Sequence, residues 1–292
     1  MRTRKPVSSI LVIAVSAAAA IVGPASAGLA SAKPASMGSA PAGAASSLLY
    51  DYEFAGSTGT VANSAPSGPD VPLTLAGDWS LAPGGVRFRG NTTGKSSVAY
   101  GNPASGYSLN EPPRAALGFG ARILYNGPVS GPCFSDTPNI TQIGRFSSQH
   151  FSTQAKLQFS SCAINPKHAV IECRFAGSAS DPQEDLPVDS TMPLVNDREY
   201  NVSCVKSPDS DGNATITLTV TWVKTGQAVT NTFTVSAIGL MRSRAYISAA
   251  NKYPLPLPAQ NTDQFNGHIT RVVYCAGAVD NVTNCLQTYL PA

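Results

Sequence analysis

The sequence predicts an all-β protein, built as a single-domain sandwich of two antiparallel sheets. Apolar and polar residues alternate in short runs, of which the clearest is Leu48-Leu49-Tyr50-Asp51-Tyr52-Glu53-Phe54. Glycine, proline and asparagine separate these runs at short intervals. No window of comparable length shows the i, i+3, i+4, i+7 spacing of an amphipathic helix, so we expect no helix.

The amino terminus predicts export. A basic start and an Ala-rich apolar run over residues 10–23 indicate a secretory signal peptide at 1–27, with cleavage after Ala27 favoured over cleavage after Ala32. An uncleaved anchor is disfavoured because the run is short. Residues 28–47 contain mainly Ala, Gly, Ser and Pro and are predicted to form a disordered tether. The sandwich then spans 48–292, and the mature protein is expected outside the cell.

The charge balance argues against some classes of partner. The chain has 20 Lys and Arg against 17 Asp and Glu, and Arg2, Arg4 and Lys5 leave with the leader, so the mature chain is formally neutral. Without a basic stripe, we expect neither nucleic acid nor an anionic membrane as partner. After cleavage the protein is not expected to be an integral membrane protein. The sequence leaves its oligomeric state open.

The predicted strands follow one another with turn residues between them. They cover residues 48–54, 71–75, 85–89, 97–100, 115–124, 140–146, 156–159, 170–175, 199–205, 214–223, 229–235, 245–249 and 263–275. The last of these is the closing strand, in which Gly267 marks a bend and the phase of alternation changes between Ile269 and Val272. That change predicts a β-bulge. Pro-rich segments, including 181–193, are predicted to be loops.

Six cysteines remain after the leader, and an even count in an exported chain favours three disulfides. Fifteen connectivities are compatible with six cysteines. No C-x-x-C motif is present and the three histidines are scattered, so zinc sites and redox motifs are not expected.

The order of motifs resembles the laminin G-like jelly roll of the concanavalin A-like lectin/glucanase superfamily. The matching motifs are a first strand around Tyr50, the step Thr60-Val61-Ala62-Asn63-Ser64, an aromatic strand with Tyr200, and the closing Phe265-Asn266-Gly267-His268-Ile269. The resemblance covers about residues 48–275 and implies a jelly roll. Where the family often has acids after the closing Ile, this chain has Thr270-Arg271, which argues against a calcium site on that strand.

The resemblance also implies the disulfide pairing. It places Cys173 with Cys204 on neighbouring strands and Cys275 with Cys285 in a disulfide-pinned tail, which leaves Cys133 with Cys162. Glycosidases of this superfold use two carboxylates that flank the scissile bond. Asp51 and Glu53 have the required i, i+2 spacing, but they lie opposite the aromatic face of the first strand, where a solvated surface is the favoured interpretation.

Two further patterns test for enzymes and metals. The polysaccharide-lyase relatives carry Gln-Ile-His, whereas Gln142-Ile143 is followed here by Gly144, and no Gly-x-Ser-x-Gly motif is present. No catalytic residue is therefore assigned, and an enzyme is disfavoured. The acidic cluster of Asp181, Glu184, Asp185 and Asp189 is interpreted as a solvated loop, with a calcium site as the alternative. No other cofactor is expected.

Sugar binding requires aromatic faces beside hydrogen-bonding side chains. Tyr107, Tyr253, Asn261 and Asp263 meet that requirement in predicted loops, with ordinary packing of both tyrosines as the alternative. Trp79 and Trp222 are assigned to packing. The sequence therefore favours a secreted, non-catalytic module that binds glycan or another cell-surface ligand. The alternatives are a glycoside hydrolase or polysaccharide lyase of the same superfold, and a structural envelope protein.

Overall fold

The computed structural model describes residues 48–89, 97–101, 108–110, 115–126, 138–144, 154–160, 169–176, 185–209, 211, 213–235, 242–244, 247–251 and 264–291. In chain order, the elements are β1 (Leu48–Glu53), β2 (Thr60–Val61), β3 (Leu73–Gly77), β4 (Trp79–Ala82), β5 (Gly85–Arg89), β6 (Ser97–Gly101), β7 (Ser108–Asn110), β8 (Ala116–Tyr125), β9 (Asn139–Gly144), β10 (Gln154–Ser160), β11 (Val170–Ala176), β12 (Asp185–Asp189), β13 (Arg198–Pro208), β14 (Ala214–Trp222), β15 (Gln227–Val235), β16 (Arg242–Arg244), β17 (Ile247–Ala249), β18 (Asn266–Gly277) and α1 (Val279–Tyr289).

Two eight-stranded antiparallel sheets form the sandwich, which confirms the predicted fold class. The first sheet has the order β15-β14-β13-β8-β18-β5-β4, with β1 also paired to β18. The second sheet has the order β12-β11-β10-β9-β17-β6-β3-β2, and β7 and β16 form a small separate ribbon. The closing strand β18 is central to the first sheet, since it pairs with β1, β5 and β8.

Aromatic side chains fill the space between the sheets. Phe119 of the first sheet meets Phe175 of the second edge to face at 5.8 Å and stacks on Tyr274 at 6.0 Å. The hydroxyl of Tyr274 is hydrogen-bonded to Thr141 Oγ1 across the core at 2.6 Å. Complete burial raises the pKa of Tyr274. The hydrogen bond with Thr141 offsets the free-energy cost of removing the Tyr274 hydroxyl from water.

Two disulfides lie in the described residues, and they are two of the three pairs that the resemblance implies. Cys173 of β11 bonds to Cys204 of β13, and Cys275 of β18 bonds to Cys285 of α1. The first bridge joins the two sheets across the core, whereas neighbouring strands had been expected. The proposed partners Cys133 and Cys162 lie outside the described residues.

The closing strand carries the expected bulge. Gly267 has φ of 149°, and a Cβ there would lie 2.8 Å from the Phe265 ring. The pairing of β18 with β8 shifts register between Ile269 and Arg271, which returns Val272 to the core. The change in alternation read from the sequence thus corresponds to a real bulge.

The expectation of no helix is wrong. Residues 279–289 form α1, which buries Val282, Cys285 and Leu286 against the outer face of the first sheet. A Cβ at Gly118 would lie 2.5 Å from Val282 Cγ1, so the glycines of β8 make room for the helix. Within the described residues, no helix is long and apolar enough to cross a bilayer.

Two assignments of acidic residues also need correction. Residues 185–189 form the edge strand β12 instead of a loop. Asp51 is 3% exposed, and its carboxylate accepts two hydrogen bonds from Arg271 at 2.7 Å, so it does not lie on a solvated face. Glu53 is exposed, as expected. Arg271 is thus the partner of Asp51.

Candidate functional site

A band of polar side chains crosses the face of the second sheet that points away from the first sheet. We call it the polar band. Leu157, Phe159 and Cys173 point into the core, so the residues that alternate with them on β10 and β11 point outward. The members of the polar band are Tyr100, Gln142, Lys156, Gln158, Glu172, Arg174, Asp189 and Ser248.

The strand register arranges the polar band in two rows. In the first row, Asp189 lies opposite Glu172, and Glu172 lies opposite Gln158. The second row runs across five strands through Arg174, Lys156, Gln142, Ser248 and Tyr100. Residues directly opposite in antiparallel strands have Cβ atoms about 4.5–5.5 Å apart. Neighbouring members of each row are therefore close enough to contact one ligand together.

Hydrogen bonds fix the centre of the polar band. Glu172 Oε1 accepts from Gln158 Nε2 at 2.5 Å and from Arg174 Nε at 2.6 Å. Gln142 donates to the carbonyl of Gly144 at 2.8 Å and accepts from Asn139 at 3.2 Å. Glu172, Gln158 and Gln142 are all less than 5% exposed. These three side chains form a rigid polar base that restrains their neighbours.

Four members of the polar band are more accessible. Tyr100, Lys156, Arg174 and Asp189 are partly exposed. They provide an aromatic ring, two cationic donors and a carboxyl group, while the buried members orient them. This combination of a ring with donors and acceptors is the type of arrangement that binds hydroxyl-rich or acidic ligands.

Asp189 has unusual acid–base properties. Burial, helped by the nearby Glu172 carboxylate, raises its pKa to about 6, while a hydrogen bond with Ser160 acts in the opposite direction. Its Oδ1 atom is buried and has no hydrogen-bond partner. Asp189 therefore changes charge near neutral pH, within a cluster whose other acid is paired with Arg174.

The band lacks the signature of a metal centre. Within the described residues, no three or more His, Cys, Asp or Glu are grouped so as to hold a metal ion. Asp189 belongs to the acidic cluster considered for calcium, but Asp181 and Glu184 lie outside the described residues. The calcium alternative stays a prediction.

A groove lies on the opposite side of the molecule, between α1 and the outer face of β13 and β14. Its volume is about 550 Å³, and its lining carries no charged side chain. Ser203 and Thr219 lie on the strand wall, and Leu286 and Gln287 on the helix wall. Asn201 Nδ2 donates to the carbonyls of Leu290 and Pro291 and so holds the end of the helix over the sheet.

The polar band does not include the residues that the sequence predicts for sugar binding. Tyr107, Tyr253, Asn261 and Asp263 all lie outside the described residues. The signal for the band was the alternation of Lys156 and Gln158 with apolar residues, repeated in Glu172 and Arg174 one strand later. Because the register between strands is not visible in the sequence, two polar faces could not be joined into one site.

The fold that carries the groove and the polar band also occurs in proteins of known structure, but two comparisons of the sequence find no relatives. No known family profile matches the chain. A comparison with curated proteins also finds no match.

Solved structures do show similar folds. The botulinum neurotoxin serotype D/C VPI 5993 binding domain is 12% identical over 84% of this chain and 52% of its own, with a TM-score of 0.51. A structure of botulinum neurotoxin type C, whose cell entry depends on interaction with two ganglioside molecules, is 14% identical over 86% of this chain and 53% of its own, with a TM-score of 0.52. Lectin II from Ulex europaeus is 12% identical over 78% of this chain and 97% of its own, with a TM-score of 0.39.

This chain spans about half the length of the toxin chains it matches. At such low identity, their likeness bears on the fold and not on the ligand. The chain therefore has a β-sandwich fold that toxin binding domains share.

Proposed function

We propose that this protein is a secreted, non-catalytic binding module of the laminin G-like type, and that it recognises a glycan through the polar band. The observation that carries the proposal is the register that aligns charged, amide, hydroxyl and aromatic side chains across the second sheet. Two disulfides agree with an oxidising, extracellular location.

The chemistry of sugars fits the accessible members of the band. Sugar hydroxyls donate and accept hydrogen bonds, and one face of a pyranose ring is apolar enough to stack on an aromatic side chain. Tyr100 provides such a ring, Lys156 and Arg174 donate, and Asp189 accepts when it is ionised. The two cations also suit a carboxylate or sulfate on an acidic sugar. A cell-surface glycan is thus the partner class that we favour.

Further support comes from a fold neighbour. Cell entry of botulinum neurotoxin type C, whose chain contains a similar fold, depends on interaction with two gangliosides, which are glycolipids. That support is an analogy between folds. Tyr107, Tyr253, Asn261 and Asp263 stay predicted contributors to sugar binding. Calcium stays an optional ligand of the acidic segment around Asp185.

A glycan array tests the proposal directly. We expect wild-type protein to bind at least one glycan class, and Lys156→Gln to weaken that binding about tenfold or more, because a charged hydrogen bond contributes roughly 1.5–3 kcal/mol. Lys224→Gln is the matched control, since Lys224 is exposed in the turn between β14 and β15. Running the array with and without chelator tests the calcium alternative.

Two results would count against the proposal. One is an array on which the wild-type protein, applied over a wide concentration range, binds no glycan. The other is an equal loss of glycan binding in Lys156→Gln and Lys224→Gln. In that case the binding site would lie elsewhere, or binding would depend only on net charge. Retention of such a non-binding protein on the producing cell would favour the structural alternative.

The second candidate is a lyase, and the raised pKa of Asp189 is the specific observation that favours it. A carboxylate whose pKa is near 6 suits proton abstraction next to the carboxylate of an acidic sugar, which Lys156 and Arg174 would neutralise. Hydrolysis is disfavoured, because Asp189 and Glu172 are in hydrogen-bond contact, whereas glycosidase carboxylates stand roughly 5–10 Å apart.

A polysaccharide panel decides between binding and elimination. If Asp189 is a general base, cleavage rises as the pH passes through about 6, where its carboxyl ionises, and Asp189→Asn abolishes it. Formation of unsaturated sugar ends, followed by their ultraviolet absorbance, is the measurement. We expect no cleavage of any substrate. Cleavage that depends on Asp189 would replace the binding proposal with the lyase.

A further inference from the structure

The outer strands of the two sheets differ in how they are protected against pairing with another chain. On the second sheet, β12 carries Pro187 between Asp185 and Asp189, and β2 has two residues. On the first sheet, β4 has four residues, and the backbone of Asp51 in β1 donates to Asn63 Oδ1 and accepts from the N–H of Ser64. Proline, charge, shortness and coverage are the usual means of protecting an edge.

The remaining edge strand, β15, has none of these features. It has nine residues, Gln227-Ala228-Val229-Thr230-Asn231-Thr232-Phe233-Thr234-Val235, with no charge and no proline. Most of these residues are exposed, and Phe233 is 46% exposed. Long, uncharged edges rich in β-branched residues are templates for another strand. Among the described edges, β15 is therefore the one that favours pairing.

The sequence of β15 is complementary to itself when two copies run antiparallel. With Asn231 opposite Asn231 of the other copy, Val229 faces Phe233 and Thr230 faces Thr232. Val229 and Phe233 lie on one face, because their partners on β14 are the core residues Val220 and Ile216. The threonines lie on the other face. On both sides of Asn231, apolar side chains therefore face apolar side chains, and threonine hydroxyls face threonine hydroxyls.

We propose that two copies of this chain associate through β15, around a two-fold axis that passes between their Asn231 residues. The two first sheets then form one continuous sheet of sixteen strands, eight from each copy. Phe233 of one copy is covered by Val229 of the other. The threonine-rich outer faces of β14 and β15 join, so the α1 grooves of both copies lie on one side of the dimer.

This dimer has a consequence for binding that rests on the proposed function. Two polar bands carried by one rigid dimer would bind a surface with many glycans more tightly than one band, since the second contact forms at a high effective concentration. The dimer itself does not depend on that function. Its test uses the protein alone and stays valid if no glycan is found.

Sedimentation analysis of the full mature chain tests the dimer. We expect wild-type protein to sediment at twice the mass of one chain, and Asn231→Lys to weaken association about tenfold or more, because two ammonium groups would face each other at the axis. Thr225→Lys is the control, since it adds the same charge in the exposed turn beyond the strand. Circular dichroism verifies that each variant is folded.

A cross-linking experiment locates the interface. Residues directly opposite in antiparallel strands have Cα atoms about 4.5–5.5 Å apart, within the range that a disulfide spans. We expect Asn231→Cys to give a covalent dimer on mild oxidation and Thr225→Cys to remain uncross-linked. A monomeric wild-type protein overturns the proposal. A dimer that survives Asn231→Lys, or equal cross-linking at both positions, also overturns it.

Discussion

We expect Arg271→Ala to lower the free energy of unfolding by about 3–5 kcal/mol, because it leaves a buried carboxylate without its cation. The guanidinium of Arg271 donates two hydrogen bonds to Asp51 at 2.7 Å and contacts Glu53 at 3.0 Å. It also lies over the ring of Tyr289 at 5.0 Å. One residue thus connects β1, β18 and the end of α1. Equilibrium unfolding in urea measures the loss.

A neighbouring arginine provides the matched control. Arg122 faces Arg271 on the adjacent strand and makes the same two-bond contact, to Glu199, at 2.7 and 2.8 Å. Both members of that pair are about one-third exposed, with side-chain values of 31% and 32%. Solvent screening reduces the worth of such a pair, so we expect Arg122→Ala to cost about 1 kcal/mol or less. Equal losses in the two variants would show that burial does not distinguish them.

The disulfide between the sheets is the second large contributor to stability that we expect. Cys173 and Cys204 enclose a loop of 31 residues, for which chain entropy corresponds to about 4 kcal/mol. We therefore expect the double variant Cys173→Ala, Cys204→Ala to lose about 4 kcal/mol in urea unfolding. The loss is spread over the whole molecule, because the bridge connects β11 of one sheet with β13 of the other.

The second bridge serves as its comparison. Cys275 and Cys285 are 10 residues apart, so the same argument gives about 3 kcal/mol for Cys275→Ala with Cys285→Ala. Hydrogen exchange in that variant should increase first in α1, which the bridge holds on the sheet. If removal of the inter-sheet bridge costs less than removal of this local one, its role in joining the sheets is contradicted.

Much of the sandwich was predictable from the sequence, because a strand is indicated locally by the alternation of apolar and polar residues. In β14, for example, Leu218 is buried in the core and its neighbour Thr217 is not, as the alternation predicts. The bulge near Ile269 was predictable for the same reason, since a break in alternation is a local signal. What alternation cannot show is which strand pairs with which.

The helix and the site were missed for two different physical reasons. Val282, Cys285, Leu286 and Tyr289 do have helical spacing, but α1 is short, contains Asn and Thr, and takes its stability from packing against Gly118. The polar band requires the order of the second sheet, which joins β17 between β9 and β6. Asp51 was misassigned because its partner Arg271 is 220 residues away.

Hydrogen–deuterium exchange on the wild-type protein, with and without the strongest binder from a glycan array, tests the central claim most directly. The polar band predicts new protection in β10, β11 and β12, around Lys156, Arg174 and Asp189, with α1 unchanged. Protection confined to α1 and the outer face of β13 and β14 would instead place the ligand in the groove. That result would contradict the assignment of glycan binding to the second sheet.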